Sequence, residues 1–216
     1  TIEDADFATL DTATGATLTV NANVDRTATL NIADAANVTL KTSKTDAATY
    51  DFHAVALDDV DTTALTVTGA SGTNTVLTTG AITGTDKLAT LSVSTSKSGN
   101  TVTLGTVVDA DSLTSVTLNA NYGNATVGAI GGTGTAEVLS TVSVTADSGA
   151  TAQIGDITAD TTDSTTDNAM TVTMTSGSGS TIDLSAINNQ YGSITMNISG
   201  EGAAHVYDGN LAGGTT

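Results

Sequence analysis

A block of about 25 residues repeats along most of the chain, and that period restricts the folds open to it more than any single residue does. Aligning one apolar strand gives Leu65-Thr66-Val67, Leu91-Ser92-Val93, Val116-Thr117-Leu118, Val142-Ser143-Val144, Val172-Thr173-Met174 and Ile194-Thr195-Met196. Their leading residues lie 26, 25, 26, 30 and 22 positions apart. A second marker follows each strand: Gly80-Ala81-Ile82, Gly105-Thr106-Val107, Gly128-Ala129-Ile130, Gly155-Asp156-Ile157, Ser185-Ala186-Ile187 and Gly209-Asn210-Leu211, with steps of 25, 23, 27, 30 and 24. Two independent markers thus keep one rhythm, and both lengthen at the run Asp160–Asn168. Self-similarity at this length is the mark of a solenoid or array, whose insertions go to loops on one side.

Within a repeat the pattern alternates. Leu65 and Val67 are expected on one side, Thr66 and Thr68 on the other, as in a strand with one buried face. Corners rich in Gly, Ser and Asn follow, such as Ser98-Gly99-Asn100 and Asp147-Ser148-Gly149. A second strand comes next, as in Thr101–Leu104 and Thr181–Leu184. Leu18-Val20, Leu30-Ile32, Val38-Leu40 and Tyr50-Phe52 alternate in the same way. No stretch carries helical periodicity, so parallel strands cannot be joined by helical crossovers; a coil stacked on its own preceding coil needs none. Two immunoglobulin-like sandwiches would also explain alternating strands, but not the internal period, and no Trp or Cys core pair is present. The expectation is an all-β parallel β-solenoid of about 7–8 coils of roughly 25 residues, spanning residues 18–216, with 1–17 as an N-terminal cap or linker. The inward ladder is expected to run Leu65, Leu91, Val116, Val142, Val172, Ile194.

Composition narrows the partners. Five Lys and Arg against 23 Asp and Glu leave a net charge of −18, which repels nucleic acid and anionic lipid alike. No apolar run is long enough to span a membrane as a helix. Without Cys there are no disulfides and no thiolate sites. β-Branched residues, Thr above all, favour strands over disorder despite the acidity. The chain begins at Thr1 without Met and is read as a piece of a longer polypeptide.

Signals for catalysis are sparse. His53 and His205 stand apart without a motif and read as ordinary solvated or core-edge residues; no G-x-S-x-G elbow, H-E-x-x-H or P-loop occurs. A polysaccharide-cleaving β-helix is disfavoured by the single arginine, Arg26, and the missing Trp, so no enzymatic role is expected. The candidate sites are carboxylate clusters: Asp58, Asp59 and Asp61 before one strand, Asp109 and Asp111 in the equivalent loop two repeats later, and Asp160, Asp163 and Asp167 in the insertion. Ca²⁺ takes six to eight hard oxygens, and Asp-x-Asp offers two carboxylates from one edge, so Ca²⁺ is the candidate ion; plain solvated acid is the competing reading. A third feature is an outward Thr/Ser set, Thr66 and Thr68, Ser92 and Ser94, Ser143 and Thr145, Thr171 and Thr173, interrupted by Asn119 and Asn197. Such a face could order water and bind ice, although Thr on the wet side of a strand is ordinary.

The acidic, Cys-free, Thr/Ala/Gly-rich composition and phrases such as Ala64-Leu-Thr-Val-Thr-Gly69, Asn100-Thr-Val-Thr-Leu-Gly105 and Leu113-Thr-Ser-Val-Thr-Leu118 resemble the repeat regions of calcium-dependent bacterial surface-layer (S-layer) proteins and RTX-type adhesins exported by type I secretion. One departure is plain: in Gly131-Gly132-Thr133-Gly134-Thr135, Ala136 stands where the RTX nonapeptide has its ligand Asp, so any Ca²⁺ would be peripheral. The resemblance implies a structural role at the bacterial cell surface, with self-assembly into a layer or filament, Ca²⁺ between acidic subunits, and cell-surface polysaccharide as a further partner. The alternative is an adhesin module that binds glycans, with Tyr122 or Tyr191 in its patch.

Overall fold

In the computed structural model, which describes residues 1–3, 9–23, 25–57, 61–131, 138–159, 168–189 and 192–207, the regular elements are all strands and every pairing is parallel. The chain winds as a β-solenoid of about seven coils of roughly 26 residues. Each full coil has three faces. The wide face stacks Ala64–Thr68, Thr90–Thr95, Ser115–Asn121, Thr141–Asp147, Met170–Ser176 and Ile194–Gly200. The second face stacks Thr49–Asp51, Val76–Thr78, Thr101–Leu104, Asn124–Val127, Thr151–Ile154, Thr181–Leu184 and Ala203–Val206. The short face stacks Val55–Ala56, Ile82–Thr83, Val107–Val108, Ile130–Gly131, Ile157–Ala159 and Ile187–Asn189. At the N-terminal end, Thr9–Asn21 and Leu30–Lys41 each run around one corner and serve both the short and the wide faces. Strand pairing already begins at Ile2, which pairs with Val20, inside the segment read as a cap or linker.

The alternation seen in the sequence becomes columns of stacked side chains. On the wide face Val38, Leu65, Leu91, Val116, Val142 and Val172 point inward in register, and Leu40, Val67, Val93, Leu118, Val144 and Met174 form a second inward column. The short face adds Leu30, Val55, Ile82, Val107, Ile130, Ile157 and Ile187, which matches the second sequence marker. These side chains are almost wholly buried in one continuous core. Each contributes on the order of 1.5–3 kcal/mol through burial.

The last coil corrects the sequence alignment. Val172 pairs with Met196 and Met170 with Ile194, so the inward ladder from Leu65 ends on Met196 rather than Ile194. In the coil before, where the register is the one expected, Thr171 stacks on Thr141 and lies outside the Thr66 column, while Thr173 and Thr175 stack on Ser143 and Thr145. A slip of two residues keeps every side chain on its face, so the apolar pattern cannot detect it.

Three corners close each coil. At the first, between wide and second faces, Asn74, Gly99, Tyr122, Ser148, Gly149 and Gly179 adopt positive φ. Asn100 is fully buried there; its Nδ2 donates to the Ala70 carbonyl (2.9 Å) and its Oδ1 accepts from the Thr75 N–H (3.0 Å), tying neighbouring coils together. The second corner, between second and short faces, is a glycine column in which backbone rests on backbone. A Cβ on Gly105 would lie 2.2 Å from the Gly80 carbonyl oxygen, and one on Gly128 2.8 Å from the Gly105 carbonyl carbon. At the third corner Leu88, Leu113 and Leu139 are buried, and hydroxyls reach the coil before or after: Thr62 Oγ1 donates to the Ala35 carbonyl (2.8 Å) and Thr85 Oγ1 to that of Asp109 (2.9 Å). The abundant threonine thus serves the corners as well as the strands.

The two kinds of glycine separate experimentally. Gly105→Ala is expected to cost about 3 kcal/mol, because a backbone contact must open. Gly149→Ala has its nearest atom 3.9 Å away and only its φ of +77° to accommodate, and should cost about 1–2 kcal/mol. Urea unfolding followed by circular dichroism measures both; equal losses would refute the backbone-contact account.

Candidate functional site

Of the eight carboxylates singled out in the sequence, Asp58, Asp59, Asp160, Asp163 and Asp167 lie outside the described residues. Asp61 sits half-buried in the turn before Ala64–Thr68. Asp109 and Asp111 occupy the third corner, where buried Ala110 between them turns both outward. Asp109 has φ +53° and its carbonyl accepts from Thr85 Oγ1, so its backbone has a structural task. Among the described residues no group of three or more His, Asp and Glu gathers to hold a metal ion.

The described residues instead assemble a polar cluster on the second face. The outward positions of successive coils there form one column: Asp51, Thr78, Thr103, Thr126, Gln153, Asp183 and His205. Threonine fills three consecutive positions after Asp51; in the last three coils Gln153 and His205 both contact Asp183. Asp183 Oδ1 accepts from His205 Nδ1 (2.9 Å) and from the Tyr207 hydroxyl (3.3 Å), while Oδ2 accepts from Gln153 Nε2 (3.3 Å). Thr126 Oγ1 donates to Gln153 Oε1 at 3.5 Å. The His205 and Tyr207 rings lie 5.9 Å apart and tilted by 55°. Tyr207 is held by its backbone N–H on the Leu184 carbonyl (2.8 Å), yet 57% of it remains exposed.

This cluster borders a shallow trench that follows the second corner, lined by Thr126, Gly128, Gln153, Gly155, Asp183, Ser185 and Tyr207. Gly128 and Gly155 of the glycine column, where coils touch backbone to backbone, form part of its lining. At this position His53 precedes Gly80 and Ser185 follows Gly155.

Burial tends to raise the Asp183 pKa, but hydrogen bonds from His205, Gln153 and Tyr207, with the charge of His205, together hold it below the usual carboxylate range. The negative charge of Asp183, partial burial and their hydrogen bond push the Tyr207 phenol up. A separate pair at the N-terminal end behaves alike: Tyr50 donates to Asp46 Oδ1 (2.7 Å), which holds Asp46 down and pushes the Tyr50 phenol up to about 12.

Sequence reasoning missed this cluster because His205 lies in no motif. A signal was present: alternation places Asp183 outward in Thr181–Leu184 and His205 outward in Ala203–Val206, 22 positions later. The expected aromatic sites fare differently. Tyr122 is exposed at the first corner, and Tyr191 lies outside the described residues. The wide face carries uncharged outward columns, including Thr66, Ser92, Thr117, Ser143, Thr173 and Asn197, with Asn119 and Asn197 interrupting the hydroxyls as expected. No protein-family model matches the chain, and no curated protein or solved structure matches it.

A lowered folded-state pKa stabilises above the unfolded carboxylate pKa, and that contribution is lost as pH falls through the folded value. The Asp183 contacts should therefore hold at neutral pH and release His205 and Tyr207 only on acidification below the ordinary carboxylate range. Carboxyl ¹³C NMR titration checks this, with Tyr207→Phe expected to move the Asp183 midpoint upward. Absorbance titration should place the Tyr50 phenol at about 12, and Asp46→Asn should bring it down.

Proposed function

We propose that the protein is a structural segment of an extracellular bacterial surface assembly, a layer or filament built by end-to-end continuation of the solenoid and aided by Ca²⁺. The observation that carries this reading is the C-terminal edge. Among the described residues, Ile194–Gly200 and Ala203–Val206 are hydrogen-bonded to a neighbouring strand on one side only. Ile198, whose column partner Met174 is fully buried, is 56% exposed, and Met196 is half-buried where Val172 is fully buried. A parallel edge with unfilled backbone groups and an apolar rim is a template for another coil, from the same polypeptide or from another copy.

Charge supports the ionic part of the proposal. Subunits at −18 repel one another, and a divalent cation between surface carboxylates lowers that cost. Exposed acids at the third corner, Asp109 and Asp111 among them, support this part of the reading.

Negative-stain electron microscopy of the purified protein in millimolar Ca²⁺, then in excess EDTA, is the test. Ordered sheets or filaments are expected with Ca²⁺ and isolated particles with EDTA. Ile198→Lys, which puts a charge on the apolar rim, should abolish the ordered arrays while leaving the circular dichroism spectrum unchanged. Arrays that persist in EDTA would remove the calcium role; particles that stay isolated in both conditions would remove the assembly role.

A further inference from the structure

We infer that the trench along the second face is a binding site for a neutral, hydroxyl-rich saccharide, anchored by Asp183 and Gln153 and capped by the ring of Tyr207. This inference does not depend on the assembly reading.

The first argument is the break in the column. Structural demand at these outward positions is met by threonine in three consecutive coils, at Thr78, Thr103 and Thr126. The fold does not require Gln153, Asp183 and His205 at the positions that follow, since threonine suits the same exposed strand sites. Side chains from consecutive coils, about 4.8 Å apart along the axis, instead converge on one carboxylate.

The second argument is the complement of groups. Asp183 is fixed by three donors, two on Oδ1 and one on Oδ2, so Oδ2 keeps acceptor capacity for a ligand. Gln153 presents an amide with both donor and acceptor character, and Thr126 a hydroxyl. With Nδ1 turned to Asp183, the His205 ring leaves Nε2 as its second polar atom. Carboxylate, amide, hydroxyl and imidazole along one open groove suit a ligand that both donates and accepts at closely spaced positions, which is the chemistry of sugar hydroxyls. The exposed Tyr207 face supplies the apolar platform on which a pyranose ring stacks. Because the groups are already held by one another, little ordering accompanies binding.

The third argument is selection by charge. An ionised Asp183 in a chain of net charge −18 repels uronate, sialylated, sulfated and phosphorylated ligands. The trench therefore favours neutral sugars, and its length across successive coils favours an oligosaccharide over a monosaccharide.

Isothermal titration calorimetry at neutral pH, with cellohexaose, maltohexaose and chitohexaose as probes and an oligogalacturonide as the anionic control, tests the inference. At least one neutral hexasaccharide should bind in the presence of EDTA, and the oligogalacturonide should not. Asp183→Ala and Tyr207→Ala should each weaken binding about tenfold or more, which is about 1.4 kcal/mol, while Asp86→Ala, at the third corner and outside the trench lining, should not change it. Tyr207 is exposed, so Tyr207→Ala keeps the test valid should Asp183→Ala unfold the last coils; unchanged circular dichroism verifies each variant. No binding by any neutral probe at millimolar concentration, affinity unchanged in Tyr207→Ala, or binding that requires Ca²⁺ would each overturn the assignment. Micrographs of Tyr207→Ala in Ca²⁺ keep the two readings apart, because this variant should lose saccharide binding and retain assembly.

Discussion

Everything in this molecule depends on the in-register hydrogen bonding of each coil to the one before it. The strands of a coil do not pair with one another across the core; they pair along the axis, so a coil in isolation would leave most of its backbone groups unpaired. Stability is therefore a nearest-neighbour property, and the corners matter as much as the faces. Asn100 bonded to Ala70 and Thr75, Thr62 to Ala35, and the Gly80–Gly105–Gly128–Gly155 column are the points where one coil fixes the height and rotation of the next.

The same stacking turns repetition into surfaces. Any outward position becomes a column, so a residue type repeated every coil becomes a stripe. On the wide face the repeated stripes are Thr, Ser and Asn, such as Thr66, Ser92, Thr117, Ser143, Thr173 and Asn197, uncharged within a strongly acidic chain. On the second face the stripe changes from threonine to Gln153, Asp183 and His205. A fold made from near-identical units marks its special positions by departures from the repeat, and this departure coincides with the trench at the second corner.

Much of the architecture was legible. Alternation in Leu65–Thr68 and Val116–Asn119 identified the buried face, the Gly-x-Ile marker located the short face coil by coil, and the Gly/Ser/Asn runs identified the first corner. What failed was the register of the last coil. Ile194 and Met196 both face inward, so sliding the strand by two residues leaves the pattern intact; stacking of Gly200 on Ser176 at the corner accompanies the pairing that decides it. The site was less legible. Asp183, His205, Gln153 and Tyr207 are spread over some 55 residues without a motif, and each reads alone as an ordinary surface residue.

By itself the sequence determined the period, the parity of every strand and the sign of the surface, because these are properties of spacing and composition that hold whatever the neighbours are. Only the tertiary structure decided which residues share a column, because that depends on how many residues each corner consumes, and corner length varies from coil to coil. It is this that sets His205 on Asp183 and Met196 on Val172, and that brings the backbones of successive glycine corners into contact.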